Sequence, residues 1–216
     1  MEMVNDPRVL LDRVASLGGG RVLIGIAGCP GAGKSTAAAW LAGALGERAV
    51  QVPMDGFHLA NAELVRLGRR GRKGAIDTFD GAGYRALLER IAVERGETVY
   101  APEFDREVGE PVAGSIAVKP EAEVVVTEGN YLLDGEGPWP GVRAALTEVW
   151  YCETPEELRL ERLIKRHERF GKPPEKARAW VEQVDEPNAR RIREARERAD
   201  LVIDFEALGV GKPEAE

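Results

Sequence analysis

Cysteine is scarce in this 216-residue chain, with only Cys29 and Cys152, too far apart to form a CxxC pair. Neither a disulfide framework nor a cysteine-based zinc site is indicated. Long apolar runs are missing as well: no stretch approaches the roughly 20 residues that cross a bilayer, which excludes a membrane-spanning class. Nor is there an excess of positive charge, since 30 Lys and Arg stand against 37 Asp and Glu for a formal net charge of −7. General nucleic-acid binding needs a basic surface, so that class is excluded and any bound anion has to be gripped locally. The opening MEMVNDPRVLLDRV is acidic and lacks the apolar core of a signal peptide, so a cytoplasmic location is expected.

What is present is an ordinary balance of 44% hydrophobic and 31% charged residues, enough to bury a substantial core in one domain. DPRVLLDRVASLG reads as an amphipathic helix with Asp6 as N-cap, Pro7 at its first position and Gly18 beyond its end. RVLIGIAG (21–28), AVQVPM (49–54), EVVVTEG (123–129), TEVWYCE (147–153) and ADLVIDF (199–205) read as strands. Helices are expected at 35–46, 81–95, 155–169, 175–184 and 187–198. Apolar strands alternating with helices predict an α/β fold with a central, mostly parallel five-stranded sheet flanked by helices in three layers. The segment between Gly96 and Pro120 predicts a small hairpin insertion. The expected organisation is a single domain over 1–208, with a helical lid at about 165–175, and a disordered tail over 209–216.

GCPGAGKST matches G-x-x-x-x-G-K-[ST] from Gly28 to Ser35, with a strand before it and a helix after it. Glycines at 28, 31 and 33 let the backbone wrap closely, so that the amides of Cys29, Pro30's neighbours, Ala32 and the residues through Thr36 can surround a phosphate. The start of the helix adds roughly half a positive charge. Lys34 is placed to reach the β/γ-phosphates and Ser35 to ligate Mg²⁺. A P-loop NTPase fold is therefore expected, binding a nucleoside triphosphate. No N-K-x-D guanine-reading motif occurs, and ATP is the expected nucleotide, although a preference over GTP is not fixed by sequence.

In VPMDGFHL (52–59) an acid, Asp55, closes an apolar strand. In open parallel sheets ligands bind at that edge, so the carboxylate can face the γ-phosphate and accept a proton from an attacking hydroxyl. The competing reading is a helix cap. Glu128 likewise ends VVVTE, where it can hold Mg²⁺ through water or simply face solvent.

The series MDGFHL, KGAIDTFD, VYAPEFDRE, VVVTEGNYLL, RLIKRH and DEPNAR, in this order after the P-loop, resembles the uridine kinase, phosphoribulokinase and pantothenate kinase group. The likeness runs from about residue 21 to 205 and is greatest to a bacterial branch described as nucleoside/nucleotide kinase or fructokinase. It implies that Asp55 is the general base and that Glu128 serves the metal. It also implies that arginines of a lid, here Arg166 and Arg169, close over the transferring phosphate. Arg159, Arg162, Arg166 and Arg169 form one stripe of a helix whose start carries a capping box, Thr154 with Glu157, around Pro155. For Arg159 a solvated, salt-bridged face is expected, and for His167 a structural role. The acceptor pocket draws on Asp55, His58, Asp77, Tyr100 and Arg106; Arg106 is equally readable as a surface-loop charge, and His58 and Tyr100 as core-edge rings. A histidine that helps hold uracil in uridine kinases is missing, and Gly74 stands near a ribose-binding aspartate of that group, so uridine is not favoured.

The expected activity is transfer of the ATP γ-phosphate to a hydroxyl of a small sugar- or nucleoside-like acceptor, with a pantothenate-like alcohol next. A regulatory NTPase acting through a protein partner and a non-hydrolysing nucleotide binder are the alternatives. No nucleic acid or membrane partner is expected, and a homodimer is left open.

Overall fold

The computed structural model describes residues 3–209. Its strands are β1 (Met3–Val4), β2 (Val22–Ala27), β3 (Ala49–Gln51), β4 (Val99–Asp105), β5 (Glu110–Val118), β6 (Val124–Gly129), β7 (Glu148–Glu153) and β8 (Leu201–Asp204). The helices are α1 (Pro7–Ser16), α2 (Lys34–Leu45), α3 (Asn61–Arg66), α4 (Gly81–Val93), α5 (Trp139–Ala145), α6 (Glu156–Arg169), α7 (Pro174–Trp180) and α8 (Glu186–Glu194). Six strands form one parallel sheet in the order β1-β8-β7-β2-β6-β3. The expected five-stranded sheet gains β1, whose Met3 and Val4 pair with Val202 and Ile203. Two residues are too short a run to carry a strand periodicity.

The two central strands, VLIGIA and VVVTEG, are buried along their whole length, which is why they read as unbroken apolar runs. Their side chains alternate between two layers. Ile24, Ile26, Val124 and Val126 pack with Leu10 and Val14 of α1 and Ala37 and Leu41 of α2. Leu23, Val125 and Val149 pack with Tyr84 and Leu88 of α4, Val142 of α5 and Ile192 of α8 on the other face. Helix–sheet–helix layering follows from that period-two division.

Asp6 caps α1 as expected, accepting from the Arg8 amide at 2.9 Å. The other expected cap fails. Pro155 precedes α6 with no side-chain cap, and Thr154 Oγ1 instead sits 2.8 Å from the Ala32 carbonyl of the phosphate loop. β3 stops at Gln51, three residues short of the expectation, because Pro53 has no amide to continue the ladder and Met54–Phe57 turns as a 3-10 helix. The hairpin β4–β5 forms a separate antiparallel sheet. The two late helices expected at 175–184 and 187–198 are nearly one rod, α7 and α8 joined by a π-turn at Val181–Asp185 in which Glu186 N–H reaches the Val181 carbonyl. Pro187 accounts for it: its ring would strike the carbonyl four residues back in a regular helix, and the wider turn relieves the clash. The lid range 165–175 falls on the end of α6, the following turn and the start of α7. The expected tail lies, apart from Gly209, outside the described residues.

Candidate active site

The loop between β2 and α2 has the backbone its glycines predict. Gly28, Gly31 and Gly33 have φ of 152°, 84° and 88°, and a Cβ at Gly31 would meet the Arg159 carbonyl at 2.7 Å. Gly33 caps α2 without a side-chain hydrogen bond, so the first-turn amides stay open to a ligand. The loop is held from behind. Pro30 O accepts from Arg159 at 3.0 Å, Ala32 O accepts from Cys152 Sγ at 3.0 Å, and Cys29 Sγ lies 3.4 Å from Tyr151 Oη.

Lys34 is buried and donates to Cys29 O at 3.0 Å. Burial lowers its pKa, opposed by the charge of Glu128. Sheet register explains that neighbour: Ala27, the last residue before the loop, pairs with Gly129, which brings Glu128 beside the start of α2. Ser35 Oγ donates to Glu128 Oε1 at 2.7 Å. Glu128 is only 7% exposed, and its pKa is raised first by burial and then by the charge of Asp55. An alcohol and a carboxylate side by side are hard oxygen donors suited to Mg²⁺, which takes few protein ligands and shares the rest with phosphate and water. Among the described residues no group of three or more His, Cys, Asp or Glu can hold a metal by itself.

Asp55 sits in the 3-10 turn after β3, the strand on the far side of β6 from β2. Its carboxylate caps no helix: α3 begins after Ala60, without a side-chain cap. Its nearest ionic partners are Arg106 at 3.8 Å and His58 at 3.9 Å. The turn is pressed against the hairpin, where a Cβ on Gly56 would lie 2.3 Å from the Pro102 carbonyl. Asp55, Lys34, Ser35, Glu128, Pro30, His58, Arg106 and Arg166 all line a single cleft of about 190 Å³.

His58 is wedged between Phe79 and Phe104, with ring centroids at 4.0 and 5.0 Å. Its Nδ1 lies 2.9 Å from the Asp55 carbonyl, a contact that needs Nδ1 to carry the proton and leaves Nε2 as an acceptor. Burial lowers its pKa, against the raising influence of Asp55.

Other expected residues lie elsewhere. Tyr100 alternates outward between buried Val99 and Ala101, is 62% exposed and does not line the cleft. Asp77 is bound by Arg72 at 2.5 Å and Arg69 at 3.3 Å, also outside it. Arg169 is exposed beyond the cleft, whereas Arg166, a turn earlier, lines it. Arg159 is not solvated: it is 2% exposed and pairs with Glu156 and Glu186. Its stripe neighbour Arg162 pairs with Glu206 at 2.6 Å. His167 is buried and bonded to Asp185 at 2.8 Å, on the cleft wall. Lys73, Phe79, Phe104, Asn130 and Asp185 line the cleft without having been singled out by sequence. Lys73 belongs to the basic run RRGRKGA (69–75), and the fold separates it from Arg69 and Arg72, which face Asp77.

A phosphate cradle and two carboxylates, one in the turn after β3 and one near the end of β6, share one cleft in a P-loop kinase fold. A Schizosaccharomyces pombe protein named for uridine kinase is 42% identical over 128 residues, 55% of this chain and 54% of that protein. The chain thus spans about half the length of that relative. The YggC protein of Escherichia coli K12 is 31% identical over 194 residues, 88% of this chain and 80% of its own. A crystal structure from Silicibacter sp. TM1040, named for a fructose transport system kinase, superposes with a TM-score of 0.81 at 38% identity, covering 90% of this chain and 95% of that one. No family model matches the chain. The chain belongs to the ATP-dependent P-loop kinases, the family of that Silicibacter protein, and shares segments with proteins named for uridine kinase and pantothenate kinase. Among the described residues no helix is long and apolar enough to cross a membrane.

Proposed function

We propose that this protein transfers the γ-phosphate of ATP to a hydroxyl of a small sugar- or nucleoside-like acceptor. The observation that carries the reading is the shared cleft: Asp55, whose carboxylate has no hydrogen-bond partner among the described residues, opens into the same space as Lys34, Ser35 and Glu128. The open amides of α2 and Lys34 bind the phosphates. Ser35 and Glu128 would hold Mg²⁺, which supplies positive charge at the phosphate oxygens when bound.

Asp55 orients the acceptor hydroxyl and takes its proton as the oxygen bonds to the γ-phosphorus. The bond from that phosphorus to the β–γ bridging oxygen breaks, and ADP leaves with the electron pair. Arg166 lies beside the charge that develops on the transferring group. Positioning and electrostatics suffice, without a covalent enzyme intermediate. His58 buttresses Asp55 through the 2.9 Å contact to its carbonyl and presents Nε2 to the acceptor. The name of the Silicibacter neighbour supports a sugar.

Asp55→Asn tests the assignment, because it keeps shape and removes the base. ATP affinity stays within about twofold while acceptor-dependent ADP release falls by roughly 10²–10⁴, the worth of a positioned base. Unchanged turnover would remove Asp55 from the reaction.

A further inference from the structure

If the phosphotransfer reading holds, the charges left over at the acceptor end describe the molecule that fits there. Four cations line the cleft, Lys34, Lys73, Arg106 and Arg166, with three carboxylates, Asp55, Glu128 and Asp185. Lys34 and Arg166 face the phosphates. Glu128 is engaged by Ser35 and Asp185 by His167. Asp55 then remains alone against Lys73 and Arg106.

Lys73 is half-buried, yet among the described residues no carboxylate approaches its ammonium within 4 Å. Two neutral oxygens hold it, Asn61 Oδ1 at 2.9 Å and Gly109 O at 2.8 Å, and the Phe104 ring lies 4.9 Å below. An ammonium has three protons, so one stays available to a ligand in the cleft. Among the described residues Arg106 makes no hydrogen bond: it stands 3.8 Å from Asp55 and stacks over Phe170 at 5.8 Å. Its five N–H donors are unused. Burying a cation without a close anion is costly, and burial depresses the pKa of Lys73, with the charges of Glu110 and Asp55 offsetting this only in part. A surface loop would have left that ammonium in water. Here Asn61 and Gly109 fix it at the cleft wall, while Asp77 neutralises its neighbours Arg69 and Arg72.

We propose that the acceptor carries, besides the hydroxyl to be phosphorylated, an anionic group, a carboxylate or a phosphate, which is received by Lys73 and Arg106. A sugar acid or sugar phosphate fits this description. A neutral sugar or an unmodified nucleoside leaves Lys73 with no carboxylate within 4 Å and Arg106 with only the 3.8 Å approach of Asp55.

Matched pairs test it with the full chain, ATP and Mg²⁺, following ADP release. The carboxylate arm sets glycerate against glycerol, gluconate against glucose and pantothenate against pantothenol. The phosphate arm sets fructose 1-phosphate and fructose 6-phosphate against fructose. The expected result is an anionic member with kcat/KM at least about tenfold above its neutral partner, the size of one charged hydrogen bond. That advantage shrinks as salt rises, and the arm that responds identifies the anion. Lys73→Gln and Arg106→Gln each reduce the anionic-over-neutral ratio by about tenfold or more. Should Lys73→Gln disturb folding through Asn61 and Gly109, Arg106→Gln carries the test, since it removes no hydrogen bond. Equal or better turnover of the neutral partners overturns the proposal and leaves the kinase reading standing. If no compound in either arm stimulates ADP release, both are overturned.

Discussion

Arg159 offers the sharpest test of how the phosphate loop is held in shape. Its guanidinium is 2% exposed and joins three elements: Glu156 on its own helix, Glu186 at the start of α8, and the Pro30 carbonyl of the loop at 3.0 Å. Burial works against its charge, but hydrogen bonds to Glu156 and Glu186 outweigh that and hold its pKa above the ordinary value. Arg159→Met keeps the stem and removes the fork. Taking one partner from a buried ion pair costs about 3–5 kcal/mol. The lower end applies here, because Arg193 also approaches Glu156 at 3.0 Å and Glu186 at 3.5 Å and retains part of the compensation.

A loss of about 3 kcal/mol, with a urea m-value of about 3 kcal/mol/M for a chain of this size, lowers the unfolding midpoint by about 1 M. The freed Pro30 carbonyl loosens the loop as well. Loss of one hydrogen bond of about 1 kcal/mol raises the KM for ATP roughly fivefold. Arg159→Lys recovers part of the stability and little of the geometry, since a single ammonium cannot serve three acceptors as a planar fork does. A midpoint shift below about 0.3 M, which is under about 1 kcal/mol, would mean that the guanidinium is dispensable. Strict additivity of Arg159→Met with Glu186→Gln would rule out the ion pair as its source.

His58 gives a pH signature. Burial sets its folded pKa below the ordinary 6.5, so below about pH 6.5 the unfolded chain takes up a proton that the folded one refuses, and stability falls as pH drops toward the folded value. His58→Phe keeps the aromatic packing and flattens the profile between pH 6.5 and 5 by up to about 1.4 kcal/mol per pH unit; superimposable wild-type and variant profiles in urea titrations would contradict this. Gly56→Ala forces a methyl group toward the Pro102 carbonyl, at 2.3 Å from its ideal position. Overpacking of this kind costs about 1–3 kcal/mol, and the displaced turn carries Asp55 with it, so turnover falls by about 10²-fold. Normal activity in a normally stable Gly56→Ala protein would show that the hairpin does not position the acid.

The parts of this site that sequence made legible are those written in consecutive residues. The phosphate loop needs eight positions in fixed order between a strand and a helix, and Asp55 and Glu128 each close an apolar run. The rest depends on pairings between distant segments. Arg159 reads as one more charge on a basic stripe until α8 packs over it and Glu186 meets it. Thr154 looks like a cap until β7 brings it to Ala32, a residue 122 positions away. Tyr100 and Lys73 differ by which way a strand or loop faces, a choice made by β5 and Gly109 rather than by neighbours in the chain. Local chemistry proposes which groups are available, and the crossing of elements selects among them.

That selection also separates the two cleft acids. Asp55 follows β3 and Glu128 lies near the end of β6, two strands that pair with one another. Glu128 lies deep, bonded to Ser35 and beside Lys34; burial penalises both its charge and that of the lysine, and each partly relieves the other. A bound phosphate chain with its cation meets both needs at once, giving the lysine an anion and the glutamate a positive charge. Burying these two charges carries an electrostatic cost that nucleotide binding would offset, a common reason why sites are less stable than cores. Asp55 stands in a different setting, with its side chain 35% exposed and no hydrogen-bond donor fixed on its carboxylate. A carboxylate with free lone pairs facing the cleft is placed to accept a proton from an incoming hydroxyl, whereas Glu128 already accepts from the Ser35 hydroxyl. Their surroundings, rather than their being aspartate or glutamate, divide the labour between them.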